Sequence, residues 1–282
     1  MKQVLAWCIT AALVTGAYAQ SKPIVHMEAA PLRTTVGPGG THTVAVRFTI
    51  PKHWHIYWQD AGEAGSPTEL EIKAPPKAKI GPVRYSRPKQ IQDPAGVVIG
   101  YEDVAVLMFD VTLDPSIAAD RWVDLAIEGR WLVCKKVCYM DSKPLHLRLR
   151  VDNTTPQVGV GQAWVDAVSM PRTLPGSIVQ RPGVVELRPG ITPTAPSFIA
   201  AHVPGVALQP ARFAAHEGQF AARIAYRLSS RDAMGHRPRL QGLLMQGDAA
   251  TDPCWWVDVR LPSPVETDSV GTTKDALEGA KP

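Results

Sequence analysis

The 282-residue sequence lacks a long apolar run: beyond its first two dozen residues, nothing approaches the roughly 20 consecutive apolar residues that a membrane span requires. Stable membrane insertion is therefore not expected. Charge of one sign is scarce too, with 30 Lys and Arg against 26 Asp and Glu for a formal net charge of +4. The basic residues are scattered, whereas a phosphate backbone is tracked by a focused basic stripe, so no nucleic-acid partner is expected. There is no internal repeat of fixed period and no long low-complexity tract. Cysteine is sparse at four residues, and no second ligand pair at finger-like spacing follows the first, which argues against zinc.

What is present begins with a leader. Lys2 supplies a positive start, Val4 to Val14 an apolar run, and Ala17-Tyr18-Ala19 a small-x-small cleavage site. Residues 1–19 are thus expected to be a signal peptide that exports the chain to the periplasm, with the mature protein beginning near Gln20. Cys8 falls inside the removed segment, so it carries no function and leaves no acceptor for a lipoprotein anchor.

The 26 prolines and 22 glycines, combined with short alternating apolar runs, favour β sandwiches with many turns over helical bundles. Val44, Val46, Phe48 and Ile50 fall on one side of a period-2 ladder, as do Ala105, Leu107, Phe109, Val111 and Leu113, and Leu145, Leu147, Leu149 and Val151. Trp122 to Cys134 reads as a further strand with Val123, Leu125 and Ile127 inward, until Gly129 breaks the pattern as a bulge. The expected fold is all-β. A first domain spans 20–155, a linker 156–179 carries a short helix with Val160, Trp164 and Val168 at helical spacing, and a second, smaller sandwich-like domain covers 180–264. Phe220 to Leu228 and Trp255 to Leu261 supply strands of the second domain, and 265–282 has the composition of a disordered tail.

The candidate chemistry lies in Trp131-Leu132-Val133-Cys134-Lys135-Lys136-Val137-Cys138-Tyr139-Met140. Three intervening residues allow a tight loop that brings Cys134 and Cys138 within disulfide reach. So short a loop stabilises a fold little through chain entropy, which counts against a purely structural staple. Lys135 and Lys136 favour thiolate over thiol, and the thiolate is the attacking species in exchange. Two other readings stay open: a permanent disulfide formed in an oxidising compartment, and a soft-metal site in which Cys134, Cys138 and Met140 offer Cu(I) its preferred sulfur ligands. Cys254 has no partner nearby in sequence and is expected to be buried as a small hydrophobe. No bound cofactor is called for, because two sulfurs carry the electrons themselves.

Three blocks carry a resemblance: Lys52 through Thr68 (KHWHIYWQDAGEAGSPT), Gly100-Tyr101-Glu102, and Trp131 through Cys138. In that order they resemble the N-terminal domain family of the thiol:disulfide interchange protein DsbD, in particular its ScsB-like branch, over about residues 25 to 155. The resemblance implies an immunoglobulin-like β sandwich with the cysteine pair at one end, partly covered by a loop. It also implies electrons arriving from a membrane-embedded relay and passing to thioredoxin-like periplasmic proteins, with Cys138 attacking the partner and Cys134 resolving. This sequence spaces the two cysteines more closely than the best-known members. It contains neither the transmembrane relay nor the thioredoxin-like domain, so a separate membrane-embedded donor is expected. A non-enzymatic module binding copper or a protein is the alternative. Within the first block, Trp54, Tyr57 and Trp58 read as core and turn residues, and His53 and His55 share a side by period-2 geometry, as a ligand pair would. Glu63 and Glu102 are candidate proton acceptors should their loops converge on the cysteines.

Overall fold

The computed structural model describes residues 22–62, 64–94, 96–201, 206–216, 219–228 and 238–261. The expected signal peptide, Glu63 and the expected tail lie outside these residues. The first half builds two sheets. One runs His26–Pro31, Thr41–Thr49, Val104–Leu113 and Ala78–Ile80, with Arg84–Tyr85 also paired to Val104–Leu113. The other runs Thr35–Val36, Cys138–Val151, Arg121–Cys134, His55–Gly62, Gly96–Tyr101 and Lys89–Asp93, with Glu69–Lys73 also paired to Arg121–Cys134. Alternation decides which side chains meet between them. Val44, Val46, Phe48, Leu107, Phe109 and Val111 from the first sheet pack against Ile56, Trp58, Val123, Leu125, Ile127, Trp131 and Val133 from the second in one apolar core. This is the expected immunoglobulin-like sandwich.

The same parity fixes the outward face of the second sheet. With Val133 and Ile56 turned into the core, Cys134, His55 and Tyr57 point the other way. The strands Arg121–Cys134 and Cys138–Val151 form one long hairpin of 14 residues a side, registered without a break from Arg121↔Val151 to Cys134↔Cys138. The bulge expected at Gly129 is therefore absent, since Gly129 pairs with Lys143 in unbroken register. Glycine suits this position for another reason: a Cβ would run into Met27 Sδ, so the end of the Met27 side chain fills the space a side chain would need.

A short helix, Val160–Asp166, follows. Trp164 and Val168 pack on Ala45, Val106 and Met108, the outer side of the first sheet, while Val160 stays exposed. The second half adds two more sheets. One orders Arg172–Thr173, Cys254–Arg260, Arg239–Met245 and Ser197–Ala200; the other orders Ser177–Arg181, Val184–Arg188, Gln219–Leu228 and Val206–Leu208, with Arg212–His216 also on Gln219–Leu228. Val185, Leu187, Ala222, Ile224, Leu240, Leu244, Val257 and Val259 form the core between them.

The opposite face of the Arg239–Met245 and Cys254–Arg260 strands joins the first half. Ile199, Leu243, Met245 and Cys254 belong to the same apolar cluster as the first sandwich, and Trp58 meets Trp256 edge-on at 6.2 Å between ring centres. Cys254 is fully buried, as expected of it, beside the Ser169 hydroxyl. At the same junction the buried guanidinium of Arg87 donates to the backbone carbonyls of Gln246, Gly247 and Asp252. Among the described residues no helix is long and apolar enough to cross a membrane.

Candidate redox site

The hairpin ends in a three-residue turn closed by the Lys135 amide donating to the Val137 carbonyl. Cys134 and Cys138, the last registered pair, are joined by a disulfide with Cα atoms 4.1 Å apart. The two cysteines differ sharply in access. Cys134 is 0% exposed, whereas Cys138 is exposed and flanked by Val137 and Met140, 51% and 68% exposed. An incoming sulfur can approach Cys138 from solvent, and Cys134 only through the protein.

Cys134 is buried by a small satellite cluster on the outer face: Tyr57, Ala61, Ile91 and Val98, with Ala64 and Leu132 against them. Tyr57 Oη donates a hydrogen bond to Cys134 Sγ at 3.3 Å, within the buried cluster. Burial first, and the Asp93 carboxylate second, push the Tyr57 phenol above its ordinary pKa, so it remains a donor. The segment after the His55–Gly62 strand lies on this ring. Gly65, at φ +104°, comes so close that a Cβ there would collide with the Tyr57 ring. A loop therefore covers the tyrosine that covers the buried sulfur.

His55 stands beside them. It is the registered neighbour of Cys134 across the strands, and its ring meets that of Tyr57 edge-on at 5.2 Å. His55 is 5% exposed; its Nε2 has no hydrogen-bond partner among the described residues and lies 3.7 Å from Asp93 Oδ2. Burial holds its pKa below the ordinary histidine value, opposed by the negative charges of Asp93 and Glu102.

The residues singled out from sequence are placed as follows. Trp54, Tyr57 and Trp58 are all buried, Trp54 near Tyr139 at 6.0 Å between ring centres. His53 and His55 do not form a pair: His53 is an exposed turn residue at φ +69°, and the strand starts only at His55. The period-2 argument fails because it assumed that the strand already included His53. Glu102 is engaged by Lys89 Nζ at 2.9 Å, and Glu63 lies outside the described residues. Among the described residues no cluster of three or more His, Cys, Asp and Glu is arranged to hold a metal ion. Asp93 is the residue that sequence reasoning missed. It sits at the end of a strand some 40 positions from the cysteines, and only the Lys89–Asp93/Gly96–Tyr101 hairpin brings it to His55.

A β-sandwich domain bearing a half-shielded disulfide at a hairpin tip defines a class of dithiol-disulfide modules. Residues 21–149 match the family described as "Thiol:disulfide interchange protein DsbD, N-terminal", and this part of the chain is a DsbD N-terminal-like domain. The fold is similar to that of the N-terminal periplasmic domain of ScsB from Proteus mirabilis, with a TM-score of 0.56 at 13% identity, covering 84% of this chain and 94% of that one. The reduced N-terminal domain of DsbD from Neisseria meningitidis also matches, at 19% identity and a TM-score of 0.26, over 46% of this chain and 89% of that one. No curated protein matches the sequence.

Proposed function

We propose that this chain is a periplasmic thiol-disulfide exchange module that relays electrons through Cys134 and Cys138 to thioredoxin-like partners, with residues 20–155 as its working domain. The observation that carries the reading is the unequal exposure of the two sulfur-bearing residues. In the reduced state the Cys138 thiolate attacks a sulfur of the client disulfide, forming a mixed disulfide and releasing one client thiolate. Cys134 then attacks Cys138 Sγ, the client's second sulfur leaves as a thiolate, and the Cys134–Cys138 bond closes. Two electrons have passed to the client, whose thiolates take up protons from water. A separate membrane-embedded dithiol reverses the sequence, attacking Cys138 and releasing Cys134 to the Tyr57 hydroxyl.

Replacing Cys134 with Ser removes the resolving sulfur, so Cys134→Ser is expected to accumulate a mixed disulfide with a thioredoxin-fold protein through Cys138. Failure to capture such a protein, while the variant remains folded, overturns the reading. The reduction potential separates it from a permanent bond: roughly −120 to −270 mV is expected for an exchanging pair, and a value below about −300 mV marks a structural one.

A further inference from the structure

The buried imidazole beside the disulfide is unexplained by packing. A histidine in an apolar pocket is ordinarily satisfied by hydrogen bonds, yet among the described residues His55 Nε2 has none, and it faces the Asp93 carboxylate at a distance too long for one. Its registered neighbour is the sulfur-bearing residue that opening the disulfide converts to an anion. An isolated buried thiolate is costly, and one hydrogen bond from Tyr57 offsets only part of that cost.

We propose that His55, backed by Asp93, is a positioning residue that balances charge at Cys134, neutral while the disulfide is closed and protonated when Cys134 becomes a thiolate. This rests on the exchange reading above. On reduction the sulfur–sulfur bond breaks, the electron pair stays on Cys134 Sγ, and His55 takes one proton from water. On resolution the thiolate attacks Cys138 Sγ and His55 returns that proton. Among the described residues, the ionisable groups facing His55 are Tyr57 on its own strand, Cys134 across the register, and Asp93 and Glu102 from the 89–102 segment, Glu102 itself being paired with Lys89. Before reduction, burial outweighs the two carboxylates and keeps the imidazole neutral. A new negative charge across the register tips that balance towards the imidazolium, and Asp93 keeps the resulting cation paired.

The test is the titration of His55 followed by NMR in the wild-type protein, oxidised and then reduced. The expected result is a rise of the His55 pKa by about one unit or more on reduction, the size of shift an adjacent opposite charge produces. Cys134→Ser, which forms no thiolate there, is expected to abolish the rise. A second measurement follows thiolate absorbance in Cys138→Ser, where His55→Gln is expected to raise the Cys134 pKa by about one unit. Cys254, whose thiol burial pushes up, contributes equally to both proteins. Should thioredoxin open and close the pair while His55 titrates identically in both states, the inference falls and the exchange reading stands. If the pair never opens, both fall. Should His55→Gln not fold, the wild-type titration still decides.

Discussion

At the scale of single residues, the site depends on where protons rest. Tyr57 is kept neutral by burial and so keeps the proton that it donates to Cys134 Sγ in the closed disulfide. His42 and His55 are kept neutral as well, each with its pKa lowered chiefly by burial. His42 Nε2 donates to the Arg150 carbonyl, while its Nδ1 is buried without a partner among the described residues. An unfolded histidine titrates near 6.5, and these two resist protonation until lower pH, so below about 6.5 the unfolded chain binds protons that the folded one refuses. Their contribution to stability is thus complete above about 6.5, falls as pH drops towards the folded values, and is flat below them. Urea denaturation of the oxidised protein should show a lower midpoint at about pH 5.5 than at about pH 7.5. His42→Gln should flatten part of that difference, and an unchanged slope in this variant would remove His42 from the account.

At the scale of elements, the long hairpin is the part that sequence displayed best. Alternation at Val123, Leu125 and Ile127, and at Leu145, Leu147 and Leu149, reports one buried face directly, and the strands lie where the ladders put them. Val104–Leu113 matches its ladder end to end. Gly129 was misread because a glycine that interrupts a pattern looks the same from sequence whether the backbone bulges or a neighbour fills the gap. Only the packing of Met27 distinguishes the two. Gly129→Ala is accordingly expected to cost about 1–3 kcal/mol by overpacking, read as a lower denaturant midpoint with an unaltered slope. Loss of less than half of that would mean that Met27 moves aside freely. The candidate site was legible only in its cysteines. Tyr57 and His55 were visible as residues, but their meeting with Cys134 depends on the register of His55–Gly62 against Arg121–Cys134, which no local pattern encodes.

At the scale of the whole molecule, the two halves share buried surface. Arg87 donates to three carbonyls of the 246–252 segment, and removing that guanidinium leaves three part-buried acceptors without their donor. Arg87→Ala should lower stability by about 3 kcal/mol, and native-state hydrogen exchange should quicken first in 239–260. Uniform acceleration throughout the chain would show instead that the junction is no weak point. The apolar cluster common to both halves also bears on the order of events during synthesis. Trp58 and its neighbours are made early, while Leu243, Met245, Cys254 and Trp256, which finish their enclosure, emerge about 190 residues later, an interval in which a sticky surface must wait for its cover.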